Sequence, residues 1–205
     1  AMLNQVKDKV PGFDCKQTKG GLLISSPNTR VPYHADQTTV MLWHVRGIKR
    51  LYVYPRKDEF MSDKDYESII LQETTEDVPY RPHFEDHATE LRLEPGEMAF
   101  WPLNAPHKVE NETFCVSVTM DCPTRDSAVK NSIFYANGIL RRKFGMNPAY
   151  ATAKPPERMF KAALGGLMRR MNVSVVPKAD DYVTFKVDPK VPGCILDVNP
   201  HPRAF

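Results

Sequence analysis

Long apolar runs are missing from this chain of 205 residues and 23.4 kDa, so no segment reads as a membrane-spanning helix. Nothing at its start reads as a secretory signal. Cysteine is sparse. Cys15, Cys115, Cys122 and Cys194 form no Cys-x-x-Cys pair. That argues against a cysteine zinc site and suits reduced thiols in a cytoplasmic protein. An excess of one charge is also missing. Basic residues number 28 against 25 acidic ones, a net +3, so no obligatory nucleic-acid partner is expected. Internal repeats are absent. Glycine is outnumbered by proline, 10 to 18. Proline stands at nearly twice its usual share of about 5% and is spread along the whole chain. That pattern predicts many short extended segments and turns and few long helices. What remains is globular in character: 41% hydrophobic and 26% charged residues can bury a core and do not describe a disordered chain.

The near-neutral total conceals two opposed segments. Residues 56–97 hold 13 acids against 5 bases, and residues 125–172 hold 10 bases against 2 acids. Such runs are usually solvated faces, or segments that meet in the fold or across a dimer. A basic docking surface for an anionic partner is the less common alternative.

The hydrophobic pattern divides the chain near Asp121. Before it, Leu22–Ser25, Thr39–Val45, Lys49–Tyr54, Glu90–Leu93, Met98–Trp101 and Phe114–Met120 read as short strands between Pro and Gly turns. Arg46-Gly47 reads as a hairpin reversal. Residues 56–88 read as a long acidic connection with a helical turn around Asp63–Ile70. After it, Ser127–Phe144 has helical spacing with Gly145 as its stop, and a second helix runs from Pro156 to about Asn172. Met159, Phe160, Ala163, Leu164, Leu167, Met168 and Met171 form its apolar stripe, read as intramolecular core more readily than as an oligomer face. Tyr182–Val187 reads as a further strand. The expectation is a mainly β protein, an antiparallel sandwich or barrel over 3–123 with its acidic loop at 56–88. Residues 124–205 then form a helical and mixed extension, packed on the barrel or forming a homodimer.

Six histidines are present. In His34-Ala35-Asp36 an imidazole and a carboxylate two apart on an extended strand point the same way. They could hold one face of a metal, with a third ligand arriving from elsewhere, as in two-His-one-carboxylate Fe(II) centres. His83-Phe84-Glu85 has the same form, and His87 lies four residues after His83, but Pro82 and the acidic surroundings suggest an exposed loop. His107 follows the Pro-bracketed turn Trp101-Pro102-Leu103-Asn104-Ala105-Pro106. Lys49 stands on a strand that otherwise reads apolar. Pointing inward it would need an anionic partner, and pointing outward it would simply sit beside Arg50.

The stretches VPYHADQTTVMLWHVRGIKRLYVYP and LRLEPGEMAFWPLNAPHKVENETFCVSVTM resemble the core of JmjC-like, cupin-type Fe(II)/2-oxoglutarate oxygenases. The resemblance covers roughly Leu22–Asp121. It implies a double-stranded β-helix, a cupin or jelly-roll barrel, with Fe(II) held by His34, Asp36 and His107. It implies that Lys49 pairs with the distal carboxylate of a 2-oxoglutarate cosubstrate. Val31 stands where the family often has Thr, Val40 where it often has Asn, and His44 where it often has Gln. Two polar groups that would meet the cosubstrate are thereby missing, and the hydroxyls of Tyr33, Thr38, Thr39 or Tyr52 are the candidates to replace them. His44 reads as a structural or pocket residue. The implied activity is hydroxylation of a protein or small-molecule substrate. The alternative is a metal-holding or empty cupin module that senses a small ligand.

Overall fold

The structure, a computed structural model, describes residues 17–74, 78–174 and 185–197, with residues 6, 8–10, 13 and 15 ahead of them. Eight strands build its body: β1 (Lys19–Ser25), β2 (Thr29–His34), β3 (Thr39–Arg46), β4 (Lys49–Val53), β5 (Thr89–Leu93), β6 (Met98–Phe100), β7 (His107–Asn111) and β8 (Cys115–Cys122). They form two four-stranded antiparallel sheets, ordered β1-β8-β3-β6 and β2-β7-β4-β5. Sequence neighbours pair within a sheet only at β4-β5, and the chain otherwise crosses repeatedly between sheets. This is the jelly-roll order of the cupin fold. The protein is mainly β, as its turn-rich pattern suggests.

Between the sheets lies an apolar lumen. Val40 and Leu42 of β3, Leu51 of β4, Leu93 of β5, Ala99 of β6 and Val109 of β7 pack there with Trp101 and Ala105. Burial of this kind contributes about 1.5–3 kcal/mol for each large side chain. The outer face of β3 carries Met41 and Trp43, which pack with Met120, Cys122, Cys15, Phe13 and Val6. Gly47 makes the β3–β4 reversal at φ +90°, and a Cβ there would lie 2.3 Å from the Phe114 carbonyl oxygen. Only glycine meets both demands.

The acidic connection is more ordered than its composition suggests. It carries α1 (Asp63–Ile70) and a 3-10 turn at Pro82–His87. Ser62 caps α1, and Asp65 closes the capping box. Helix α2 (Arg125–Phe144) starts on a Thr124–Ser127 capping box and ends at Gly145 with φ +63°. Helix α3 (Pro155–Arg170) begins at proline. A second, largely aromatic core of Tyr33, Tyr54, Phe60, Tyr66, Ile69, Ile70, Phe84 and Phe134 fastens α1 and α2 to the barrel.

The opposed charge runs meet in the fold. Glu67 of α1 is fully buried and takes Arg141 of α2 on both oxygens, Nε at 2.8 Å and Nη2 at 3.1 Å. Arg142 adds a contact at 3.2 Å and also pairs with Glu73. The stripe on α3 departs from expectation. Met159, Phe160, Leu167 and Met171 are exposed, Met159 by 74%. Helix α3 instead meets α2 through Gly165, whose missing Cβ leaves room for the Ser132 carbonyl. Glycine permits so close an approach that the stripe is rotated away. The strand expected at Tyr182–Val187 begins outside the described residues. Its described part, β9 (Phe185–Val187), pairs with β10 (Ile195–Asp197). Among the described residues no helix is long and apolar enough to cross a membrane.

Candidate metal centre

At one mouth of the barrel, β2 ends, β3 begins, β4 ends and β7 begins. The β2–β7 register runs from Thr29 opposite Asn111 to Val31 opposite Val109, then slips, so that His34 faces His107. Without the extra residue, Tyr33 would stand opposite His107. The irregularity falls at Pro32, which has no N–H to give to a ladder. A bulge of this kind re-aims a side chain, and here it delivers His34 to the mouth.

His34, Asp36 and His107 come together there, with one ligand atom from each within 4.8 Å of the others. The His34 Nε2 lies 4.0 Å from one Asp36 oxygen, and the His107 Nε2 lies 3.5 Å from the other. The imidazole centroids are 4.1 Å apart. Both rings are oriented from behind. His34 Nδ1 donates to the Pro32 carbonyl at 2.7 Å, and His107 Nδ1 donates to the Ala105 carbonyl at 3.0 Å. This fixes the tautomer with an Nε2 lone pair directed at the carboxylate, the state a metal ligand requires. His107 is 3% exposed in its side chain. Burial and the neighbouring His34 push its pKa down to about 3, against a smaller upward pull from the Ala105 hydrogen bond. Its ring is therefore neutral at physiological pH. The donor set, two imidazoles and one carboxylate, fits a divalent transition metal.

Asp36 is held at both ends. Trp101 Nε1 donates to its carboxylate at 3.1 Å, and the Trp101 ring lies 4.6 Å from that of His107. Asn104 Nδ2 and the Tyr66 hydroxyl donate to its backbone carbonyl at 3.0 and 3.3 Å. Asn131 of α2 shares the single Tyr66 hydroxyl proton as a second acceptor at 3.2 Å and donates to the Gln37 carbonyl at 2.8 Å. The sequence marks none of these four supports individually. The Pro-bracketed turn before His107 is the signal for Trp101 and Asn104. Tyr66 and Asn131 reach the site only through the tertiary packing of α1 and α2.

Lys49 is buried on β4 and shares its face with Leu51 and Val53. Val53 pairs with His107, and Lys49 pairs with Asn111, four residues or roughly 13 Å further along the strand. No carboxylate pairs with the Lys49 ammonium among the described residues, and its burial lowers its pKa. Of the two orientations open to it from the sequence, the inward one is observed.

Other expected positions stand elsewhere. The Tyr33 hydroxyl donates to the Phe60 carbonyl at 2.8 Å inside the aromatic core, so it is directed away from the lumen. Thr39 alternates with Val40 and shares the outer face with Met41, again opposite the lumen. Neither hydroxyl stands in for the polar groups absent at Val31 and Val40. His44 is buried, with Nε2 donating to the Gly47 carbonyl at 2.9 Å and Nδ1 accepting from Ser117 at 3.0 Å. One ring nitrogen is engaged by the β3–β4 reversal and the other by β8, which makes it a structural residue. His83 lies 3.7 Å from Glu59 on the exposed 3-10 turn, and the His87 ring packs 5.4 Å from that of Phe60. His201 lies outside the described residues.

No protein-family model and no curated protein matches the sequence. Solved structures do. An RmlC-like cupin from Shewanella frigidimarina is similar at 12% identity over 53% of this chain and 68% of that one, with a TM-score of 0.34. A DMSP lyase from Ruegeria pomeroyi is similar at 12% identity over 53% and 40%, with a TM-score of 0.33. An oxalate decarboxylase from Bacillus subtilis is similar at 15% identity over 53% and 22%, with a TM-score of 0.36. This chain thus spans less than half the length of the lyase and less than a quarter of the decarboxylase. The strand order, rather than these likenesses, assigns the fold. Fold and site together define a cupin-type jelly roll with a candidate two-His-one-carboxylate metal centre at its mouth.

Proposed function

We propose that this protein is an Fe(II)- and 2-oxoglutarate-dependent oxygenase that hydroxylates a protein or small-molecule substrate. The observation that carries the reading is the triad at one end of the lumen with Lys49 buried, and not paired to a carboxylate among the described residues, further along the same wall. The two Nε2 atoms and the Asp36 carboxylate would hold the metal, and Lys49 would pair with the distal carboxylate of the cosubstrate. When bound, the pair supplies oxidative chemistry that couples cosubstrate decarboxylation to C–H hydroxylation by O2. The chain's own contribution is to keep the His107 imidazole neutral, hold Asp36 from both sides and exclude water with the apolar lumen.

A second reading, a metal-holding cupin module that senses a small ligand, is favoured by Val40. That residue packs against Leu42, Leu51 and Val109, where a polar cosubstrate contact is expected. One experiment separates the two. Anaerobic Fe(II) protein titrated with 2-oxoglutarate is expected to develop a weak visible charge-transfer band and, on admission of O2, to form succinate. Metal binding with neither band nor succinate refutes the oxygenase and leaves the sensor.

The exposed stripe on α3 extends the proposal to a homodimer. Met159, Phe160, Leu167 and Met171 lie on one helix, and a second copy brings a patch of the same character by symmetry.

A further inference from the structure

A cavity of about 400 Å³ opens beside the metal centre, between the β4–α1 connection, α1, α2 and the α2–α3 connection. That volume is in the range that holds a small organic molecule. One wall is apolar, lined by Met61, Tyr66, Phe134 and Tyr150, with Phe134 and Tyr150 stacked on each other at 5.0 Å and an interplanar angle of 19°. The charged lining comprises Arg56, Lys57 and Asp58 from the connection, Asp63 from α1, and Asp126 and Lys130 from α2.

These charges are balanced in number but differ in situation. Arg56, Lys57, Asp58 and Asp126 are exposed and solvated. Asp63 is half-buried and already accepts the Tyr150 backbone N–H at 2.7 Å. Lys130 is also half-buried, yet no hydrogen bond or ion pair engages its ammonium among the described residues. What it does have is the Tyr150 ring, with Nζ 5.4 Å from the centroid, and Arg158 lies over the same ring at 4.8 Å. Burial and the Arg56 charge lower its pKa to about 8, against smaller upward pulls from Asp126 and Asp63. An ammonium partly removed from water with no direct ion pair is costly, and an anion in direct contact with it would offset that cost. Arg56 binds the Leu103 carbonyl through Nη1 at 3.1 Å, which leaves its other N–H groups free to join Lys130.

We propose that this cavity is a binding site for a small organic anion with an apolar body, its carboxylate or phosphate on Lys130 and Arg56 and its body against the wall of Met61, Tyr66, Phe134 and Tyr150. Nothing in the metal-centre reading requires this site, but the two are physically joined. Asn104 and Tyr66 line the cavity and also donate to the Asp36 carbonyl. An occupant would therefore touch the residues that hold Asp36.

The test uses the whole chain without added metal, with benzoate, inorganic phosphate and tetramethylammonium as probes in calorimetric titrations. Benzoate is expected to bind at millimolar concentration and more tightly than phosphate, because only benzoate uses the aromatic wall. Lys130→Met is expected to weaken it about tenfold, the loss of a charge-assisted contact. Lys130→Arg is expected to keep most of it. Should Lys130→Met misfold, the lysines of the unaltered protein can be dimethylated with 13C-formaldehyde. Benzoate should then move the Lys130 resonance and leave that of exposed Lys64 in place. Absence of saturable benzoate binding, tetramethylammonium binding in its stead, equal affinity in Lys130→Met, or an unmoved Lys130 resonance would each overturn the proposal. Phosphate binding as tight as benzoate would overturn the aromatic part of it.

Discussion

The contact between α2 and α3 makes a prediction in which two neighbouring glycines respond with opposite sign. A Cβ built on Gly165 would lie 1.9 Å from the Ser132 carbonyl oxygen and 2.7 Å from its carbon. The first value falls about 1.1 Å below the 3.0 Å floor of real Cβ contacts. Both clashing groups are backbone of α2, so no side chain can swing aside. Gly165→Ala therefore has to push the helices apart. Overpacking costs about 1–3 kcal/mol, and rigid backbone on the receiving side places this case toward the upper end. Against it stands the helix preference of Ala over Gly, about 1 kcal/mol. The net expectation is destabilisation by about 2 kcal/mol. Gly166 is the internal control, since its Cβ would meet nothing within 4 Å. Gly166→Ala should retain the propensity gain and stabilise by up to about 1 kcal/mol. In a domain of this size 1 kcal/mol moves Tm by about 2–4 °C, so Gly165→Ala should melt roughly 4–8 °C below the parent and Gly166→Ala slightly above it. Thermal denaturation by circular dichroism reads both. A Gly165→Ala protein that melts at or above the parent would refute the close approach of the two helices. The same variant reports on the anion cavity, because Lys130 lies two residues before Ser132.

Other predictions address the centre and its supports. Asp36→Ala should abolish tight binding of a divalent metal. Trp101→Phe, which removes one donor to that carboxylate, should weaken it about 10- to 100-fold, and an unchanged competition titration would deny Trp101 its orienting role. Glu67→Ala leaves two guanidinium groups without their buried partner and should cost about 3 kcal/mol or more in urea unfolding. For Lys130 the folded pKa, about 8, lies below the ordinary value of 10.5. Its contribution to stability is thus fully present above about 10.5 and is lost as pH falls through 8. Asp126 and Asp63 pull against Arg56 and Arg158 in setting that value. An NMR titration of the labelled Lys130 should find a midpoint near 8, and one near 10.5 would contradict the burial. Phe160→Glu on α3 should shift a dimer to monomer in sedimentation velocity, whereas a parent chain that is already monomeric removes the dimer from the proposal.

The barrel is legible because its strands alternate and its turns carry glycine or proline. Gly47 and Pro95-Gly96 divide the strands where the structure divides them. Strand β2 is not legible as one, since Pro32 and the polar Thr29-Arg30 disguise it, and its bulge depends on pairing with β7. His34 and Asp36 can be paired from spacing alone, whereas His107 rests on family resemblance. The Tyr33 hydroxyl falls on an unexpected face because of pairing, whereas Thr39 lies outside the lumen by simple alternation with Val40. Which face of a strand meets the lumen depends on register, and a one-residue slip between Val31 and His34 changes it. Helix α3 shows the reverse case. Its apolar periodicity is plain in the sequence, yet packing is decided by Gly165, where a side chain is missing.

Asp36 is tied down by Trp101 on its carboxylate and by Asn104 and Tyr66 on its carbonyl, and both imidazoles by backbone oxygens behind them. A centre assembled this way has its ordering entropy settled when the chain folds, not when the ion arrives. Metal uptake should then be rapid and reversible. A chelator should strip the ion and leave the circular dichroism spectrum unchanged, in contrast to small metal-dependent domains that unfold on losing theirs.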